Sequence, residues 1–209
     1  MALLGRPRSF DREHALLMAM KVFWALGYEG ATLPDLQKAM GGITPPSFYA
    51  AFGSKEKLFR EAVELYSRTL GAPMMKALAE GATARASIES LLEAAVAAFS
   101  KRGAPRGCML VVTAMNSMTA NQSVHDYLRH LRARRRIAIR KRLERGVAEG
   151  ELPPGLNLAA LAAFYTTVVD GMAIEARDGA SGKVLRLTVR CSMAAWDSLV
   201  AEERPAGGP

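Results

Sequence analysis

Hydroxyl side chains stand at the predicted starts of three helices near the N-terminus. Thr32 and Thr44 are each followed by a proline within two residues, and Ser54 precedes a long apolar pattern. Serine and threonine cap helices through their side-chain oxygens, and proline is tolerated in a first turn. The same helix ends present free backbone N–H groups and a positive dipole end, which bind phosphate oxygens. Taken singly, each residue is an ordinary helix cap, but the ordered set favours phosphate binding.

No set of residues has the pattern of a catalytic or metal site. His14, His125 and His130 lack the spacing of metal ligands, and Cys108 and Cys191 are too few for a disulfide framework. The sequence shows no nucleophile–base pair, phosphate loop or pair of carboxylates suited to acid–base chemistry. We therefore expect no enzymatic activity, no metal and no cofactor.

The composition indicates a globular, basic protein. The chain has 209 residues, of which half are hydrophobic, and its net charge is +8. Arg6 and Arg8 are followed by no apolar segment of a signal peptide, and charged residues interrupt every apolar run before the roughly 18 residues of a membrane span. We expect a cytoplasmic protein with no membrane partner, and the positive charge favours a polyanionic partner.

Apolar residues recur at spacings of three and four, which predicts an all-α fold. Gly27, Gly41-Gly42 and Gly53 are predicted to end the first three helices. A helix pair or a frayed connection is predicted near residues 70–85. The predicted helices are 11–26, 32–40, 44–52, 54–70, 86–102, 106–119, 123–149, 157–178 and 183–202.

The three short helices within 11–52 have lengths and turns suited to a helix-turn-helix. The second and third are separated by the tight turn Gly41-Gly42-Ile43. A recognition helix of two turns fits a major groove about 12 Å wide.

Residues 32–59 resemble the N-terminal domain of the tetracycline-repressor (TetR) family of bacterial regulators. The stretch reads TLPDL, then GITPPSFYAAFGSKEKLF, and the similarity covers about residues 9–69. The segment Arg106-Gly107-Cys108-Met109-Leu110 and the closing helix pair resemble one branch of the family's regulatory domain more weakly. The family's signature positions are matched by Tyr49, Phe52, Lys55, Leu58 and Phe59.

The resemblance implies two domains and a disordered tail. A DNA-binding domain would span 9–69, with the helix-turn-helix at about 32–52, and a helical ligand-binding and dimerisation domain would span 70–202, leaving 203–209 as the tail. The protein would be a homodimeric repressor that an unknown small-molecule effector releases from a palindromic operator in double-stranded DNA. The implied core residues are Phe23, Leu36, Ile43, Phe48, Phe52 and Leu58.

The resemblance also assigns contacts to DNA. Thr32 and Lys55 would hold phosphates at two helix N-termini, and Tyr49 would donate its hydroxyl to a phosphate. Thr44, Pro45 and Ser47 would face base edges. Each side chain alone has an ordinary explanation: a cap for the threonines, a half-buried ring for Tyr49 and a solvated charge for Lys55.

The predicted recognition helix departs from the family pattern. Pro45-Pro46 stands where members often carry Lys-Gly, and Ala50-Ala51 where they often carry His-His. Segment 44–53 contains no Arg, Lys, Asn or Gln, so the strongest bidentate base readers are absent. Specificity would then depend on hydroxyls, contacts with thymine methyl groups and DNA shape. Arg6 and Arg8 would either reach a minor groove or belong to a disordered basic tail.

Two apolar segments near the C-terminus, 157–178 and 183–200, suit a four-helix interface with a twofold mate. The alternative is that they pack only within their own domain. The residues assigned to the dimer interface are Phe164, Val169, Val184, Leu187, Cys191 and Trp196.

A ligand pocket is expected among the helices of residues 86–178, because methionines and a few polar groups suit adaptable apolar binding. The alternative is that these residues are ordinary core. The candidate lining residues are Phe99, Met109, Leu110, Thr113, Asn116, Tyr127, His130, Phe164, Tyr165, Val168 and Met172.

Segment 129–145 carries nine basic residues and one acidic residue. At 100° per residue, Arg135 and Arg142 fall on the apolar side of this predicted helix. One interpretation is that either pairs with Asp170 or Glu175, and another is that either pairs with an anionic effector.

Cys108 stands near Arg102 and Arg106 in the sequence, which allows either a sensing thiol or an inert buried cysteine.

Two rival functions remain open at this point. A helical small-molecule carrier would use the N-terminal helices only for packing, and an enzyme would need a bundle site that the sequence does not reveal. The residues do not separate repression from activation.

Overall fold

The computed structural model describes residues 11–115 and 121–201, and within these ranges it is helical with no strand. The all-α prediction is therefore confirmed. Arg6, Arg8, Asn116 and the predicted tail 203–209 lie outside the described residues. The helices are α1 (Arg12–Gly30), α2 (Leu33–Ala39), α3 (Pro45–Phe52), α4 (Lys55–Tyr66), α5 (Ala72–Glu80), α6 (Ala84–Phe99), α7 (Met109–Met115), α8 (Gln122–Ala148), α9 (Leu158–Arg177) and α10 (Gly182–Ala201).

Helix α1 is interrupted at Gly27, where the sequence predicts an end. Gly27 has φ 74° and ψ 176°, a backbone conformation that side chains with a Cβ rarely adopt. The chain then makes one further turn before Ala31, whose N–H donates to the Gly27 carbonyl. This turn directs the chain toward the start of α2.

Helices α2 and α3 form the predicted helix-turn-helix. Gly41 and Gly42 both have positive φ, at 88° and 75°, and Ile43 turns into the core. The six residues that the resemblance assigns to the core are all buried. Phe23 of α1 packs edge-to-face on Phe59 of α4, with ring centroids 5.1 Å apart. Helices α1 and α4 therefore pack together on the buried side of the helix-turn-helix.

Of the two alternatives predicted for residues 70–85 the structure has the helix pair, α5 and α6, but the predicted end of the fourth helix at residue 70 is wrong. Helix α4 continues through a π-helical turn, Ser67–Gly71, directly into α5. Pro73 lies in the first turn of α5, directly after the π-helical turn. The Ser67 hydroxyl donates to the Val63 carbonyl at 2.8 Å and supports the wider turn.

Helix α7 begins at Met109 and not at the predicted residue 106. Gly107 has φ 82°, and a Cβ there would lie 2.4 Å from the Ala173 carbonyl oxygen, so the turn before α7 passes α9 at a distance that only glycine allows. The Arg106 guanidinium donates to the carbonyls of Gly179 (3.1 Å) and Ala180 (2.6 Å). The Arg106 side chain thus binds the turn between α9 and α10.

Helix α9 is long and apolar enough, by length and composition alone, to cross a membrane. A core helix of a bundle meets the same criterion. Here Asp170 interrupts it and pairs with Arg135 of α8, and the helix packs against α6, α8 and α10. These contacts cover one side of α9, and 33% of its apolar 18-residue window is buried.

Replacing Gly27 by alanine should destabilise the protein by about 1–3 kcal/mol, because alanine is strained at this positive φ. Urea unfolding measures the loss. Gly30→Ala is the matched control: its Cβ would meet only the Leu26 Cβ at 3.5 Å, an ordinary contact. Equal stabilities of the two variants would contradict the assigned backbone strain.

Candidate nucleic-acid interface and regulatory cavity

Helix α3 has one buried and one exposed face. Phe48 and Phe52 are buried, whereas Thr44, Pro45, Ser47 and Tyr49 are exposed. The exposed face carries hydroxyls and proline rings but no charge. It can therefore donate and accept neutral hydrogen bonds and make apolar contacts in a groove.

The hydroxyls of this face engage each other. Thr44 caps α3, its Oγ1 accepting from the Ser47 N–H at 3.4 Å, and it donates to the Ser47 Oγ at 3.0 Å. Both hydroxyls are exposed, so each can exchange this bond for one with a base edge.

The start of α2 is closed by a capping box. The Thr32 hydroxyl donates to the Asp35 carboxylate at 2.5 Å, and the Thr32 N–H donates to the same carboxylate at 3.2 Å. These hydrogen bonds lower the pKa of Asp35. Thr32 thus acts as a cap in the free protein, and a phosphate at this helix end would approach a carboxylate.

Lys55 and Tyr49 occupy different environments at the edge of this surface. The Lys55 ammonium lies 4.5 Å from the centre of the Tyr28 ring, and partial burial lowers its pKa. Tyr49 is half exposed and rests edge-to-face on Phe48. Tyr49 belongs to the exposed face of α3, and Lys55 is the first residue of α4, three residues after α3 ends.

Sequence reasoning missed a support behind α3. The Arg12 guanidinium forms an ion pair with Glu61 at 2.8 Å and lies 4.7 Å from the centre of the Phe52 ring. The residues are far apart in sequence and carry no local signal. This contact fixes α3 against α1 and α4.

Polar contacts that the sequence did not predict join α1 and α4 to the second half of the chain. Arg60 bonds to Glu56 and to Ser123, and its guanidinium lies over the Tyr127 ring. Hydrogen bonds from Ser123 and Arg60 lower the pKa of Glu56.

Two further contacts reach α1 itself. Arg177 donates to the carbonyls of Trp24 (3.2 Å) and Ala25 (2.8 Å), just before the interruption at Gly27. The Asn121 amide donates to the Glu29 carboxylate at 2.5 Å. The helix that supports the turn is therefore tied to α9 and to the start of α8.

A cavity of about 400 Å³ lies beside the π-helical turn. Its wall is formed by α4, the turn, α5, the start of α7 and α8. The lining residues are Tyr66, Ser67, Gly71, Met74, Met75, Cys108, Leu110, Leu131, Arg134, Arg135 and Ala138. Most of this surface is apolar, so the cavity suits a ligand with an apolar body.

Arg135 brings a charge into this cavity wall. It is buried and forms an ion pair with Asp170 at 2.5 Å, which confirms the pairing expected from the sequence. Burial raises the pKa of Asp170, while Arg135 and Arg132 lower it. Arg142, the other arginine considered for this pairing, pairs instead with Glu151 and donates to the Ser87 hydroxyl at 2.7 Å.

Comparison with known proteins decides the family. Residues 16–62 match the family model of bacterial regulatory proteins, tetR family, and residues 82–190 match that of the tetracyclin repressor-like C-terminal domain. The chain is 34% identical to the HTH-type transcriptional repressor ComR of Escherichia coli K12, over 94% of this chain and 93% of ComR. The chain belongs to the TetR family of bacterial regulators. Such proteins are not enzymes.

Solved structures of TetR family proteins agree in fold. A cysteine mutant of the regulator CifR, complexed with 26bp double-strand operator DNA, is 41% identical with a TM-score of 0.87, covering 91% of this chain and all of that chain. The reduced form of E. coli NemR, at 20% identity and a TM-score of 0.70 over 94% of this chain and 98% of that chain, shows the same fold.

The structure distributes the predicted TetR ligand-pocket residues over several environments. Phe99, Met109, Thr113 and Met172 are buried in the core, and His130 is exposed on α8. Of the described candidates, Leu110 lines the cavity beside the π-helical turn, whereas the others, including Tyr127, Phe164, Tyr165 and Val168, do not. Cys108 lines it too and is buried, with Tyr66 as a hydrogen-bond neighbour.

The residues predicted for a TetR dimer interface divide into two groups. Phe164, Val184 and Leu187 are between 38% and 44% exposed, and Cys191 is also exposed. Val169 and Trp196 are buried inside the protomer and do not form part of the exposed surface.

Arg135→Met alone should destabilise the protein by about 3 kcal/mol, because it leaves the Asp170 carboxylate partly buried without its main partner. The double variant Arg135→Met/Asp170→Leu should lie within about 1 kcal/mol of the wild type, since both charges are removed together. Chemical unfolding of the four proteins in the cycle measures the coupling. Additive effects would show that the pair does not act as a unit.

Proposed function

We propose that this TetR family regulator is a cytoplasmic homodimeric repressor that binds a palindromic operator through α3 and is released when a small molecule occupies the cavity beside the π-helical turn. The observation that carries the proposal is the exposed hydroxyl face of α3, held rigid by its cap and by Phe48 and Phe52. ComR is named a transcriptional repressor, and CifR has been solved on operator DNA.

On DNA, the Thr44 and Ser47 hydroxyls would separate from each other and bond base edges, with Pro45 against thymine methyl groups. Tyr49 would donate its hydroxyl to a phosphate. Lys55 would move from the Tyr28 ring to a phosphate. Thr32 would keep its hydrogen bonds to Asp35, while the N-terminus of α2 faces the DNA backbone. These contacts divide into two classes, phosphate contacts that position the helix and hydroxyls that read sequence.

A twofold partner would cover the apolar surface of α9 and α10. Val184, Leu187 and Cys191 follow one another at helical spacing along α10, and Phe164 lies on the neighbouring helix. Large exposed apolar residues that cluster in this way mark interaction surfaces. Two copies joined here would present two α3 helices to successive major grooves.

The connection between cavity and DNA would be α4. Its first residue, Lys55, borders the DNA face, and its last, Tyr66, lines the cavity. A ligand that displaces Tyr66 or Ser67 would tilt α4 and change the separation of the two α3 helices.

The combined substitution Tyr49→Phe/Lys55→Ala should weaken operator binding about tenfold or more, and should weaken binding to unrelated DNA by a similar factor, because both residues contact phosphate. Salt titration of fluorescence anisotropy with the DNA upstream of its own gene measures both affinities. Lys101→Ala, an exposed lysine after α6, is the control and should change neither.

Unchanged operator affinity in the double variant would refute the phosphate assignment. A wild-type protein with no saturable preference for any genomic fragment would instead favour a helical small-molecule carrier.

Leu187→Asp should convert the dimer to monomers and abolish tight operator binding, since a charge in an apolar interface is strongly unfavourable. Sedimentation velocity measures the state directly. Leu26→Asp, which changes an equally exposed leucine on α1, should stay dimeric. A dimeric Leu187→Asp variant would place the interface elsewhere.

A further inference from the structure

The cavity beside the π-helical turn combines an apolar wall with an excess of positive charge. Met74, Met75, Leu110 and Leu131 provide the apolar part. Arg134 lies exposed at the edge and forms no ion pair with any described residue, while Arg135 is buried in the wall. A neutral apolar ligand would contact the apolar residues but would leave the two arginines without a negatively charged partner on the ligand.

The donors of Arg135 are only partly used. A guanidinium has five N–H groups in a fixed fork. In the described part of the chain, Arg135 bonds to Asp170 through one terminal nitrogen, and its Nε has no hydrogen-bond partner. Only 8% of the residue is exposed, so water satisfies little of this deficit. Buried donors without acceptors are costly, and an acceptor that reaches this guanidinium would be bound with corresponding strength.

The carboxylate that faces Arg135 does not balance the local charge. Asp170 interacts with both Arg132 and Arg135, so two guanidinium groups share one carboxylate. Arg134 adds a third cation at the cavity edge. The cavity wall therefore carries a net positive charge, which a ligand with a negative charge would balance.

We propose that this cavity binds a small organic anion, a carboxylate or sulfonate with an apolar body, and that Arg135 holds its charged group. This inference rests on the proposed function, because it gives the chemical class of the effector. The apolar body lies against Met74, Met75 and Leu131, and the anionic group takes the free donors of Arg135. Binding then places a ligand against Tyr66 and Ser67, at the end of α4.

A matched pair of fluorescent probes tests the charge requirement. The probes are 1-anilinonaphthalene-8-sulfonate and N-phenyl-1-naphthylamine, which share one ring system and differ by the sulfonate. Fluorescence titration gives the Kd of each probe, and the ratio of the neutral to the anionic Kd measures the preference for the anion. Far-UV circular dichroism checks that each variant is folded.

Two variants should move this ratio in opposite directions. Arg135→Met/Asp170→Leu, which removes the cation together with its partner and so avoids an unpaired buried charge, should lower the ratio about tenfold or more, as expected for a lost charge-assisted hydrogen bond. Asp170→Asn should raise the ratio, because it frees Arg135 for the ligand. Arg140→Gln, an exposed arginine of the same helix paired with Glu144, should leave it unchanged.

A third variant locates the probe. Ala138→Trp fills the cavity from α8 and should remove binding of both probes. Sulfonate binding that survives this substitution, a wild type that binds only the neutral probe, or a ratio that is the same in the wild type and both charge variants would overturn the inference.

Operator binding by the ligand-free protein is measured separately. If the protein binds no operator, the proposed function fails, and the probe titrations still decide whether the cavity holds an anion. If both succeed, the sulfonate probe should lower operator affinity in the wild type and not in Ala138→Trp.

Discussion

Helix α4 is the physical connection on which the arrangement depends, because it belongs to both halves of the molecule. Its buried side, with Leu58, Phe59, Ala62 and Val63, closes the core behind the helix-turn-helix. Its end, Tyr66, lines the cavity among α5, α7 and α8. No hinge separates these roles, since the chain runs through the π-helical turn into α5. π-Helical turns occur frequently at functional sites, and this one places Ser67 and Gly71 on the cavity wall.

Polar contacts at the surface join the two halves beside an apolar interface, in which α7 packs against α1 and α4 within one continuous core. Arg60 with Ser123 and Arg177 with the α1 carbonyls involve partly exposed side chains, which contribute little free energy individually. Allosteric coupling typically amounts to about 1–3 kcal/mol. A ligand that moved α1 and α4 would have to change these polar contacts and also shift the apolar packing of α1 on α7. The apolar core behind α3 would remain intact during that change.

The features predicted from the sequence are those with local causes. The caps at Thr32, Thr44 and Ser54, the interruption at Gly27 and the buried aromatic residues follow from short-range patterns, and the structure has them. The break near residue 70 was predicted from glycine and proline composition, but Pro73 falls in a first turn, where it is compatible with a helix.

The cavity lining could not be predicted, because it brings together helices far apart in sequence. The Arg135–Asp170 pair could be predicted from the sequence only because helical periodicity places Arg135 on the apolar side of α8.

The distribution of charge explains how a basic protein can present a neutral recognition helix. Five arginines of α8 form ion pairs within the second half of the chain: Arg135 and Arg142 are buried in ion pairs, and Arg129, Arg140 and Arg145 pair with acidic residues of the same helix or its end. Of these five, Arg135 also lies in the cavity wall. The net charge is therefore not a measure of the DNA surface. A DNA-binding face built from Thr44, Pro45, Ser47 and Tyr49 would gain little from long-range attraction, and its discrimination would depend on hydroxyl contacts and on the shape of the groove.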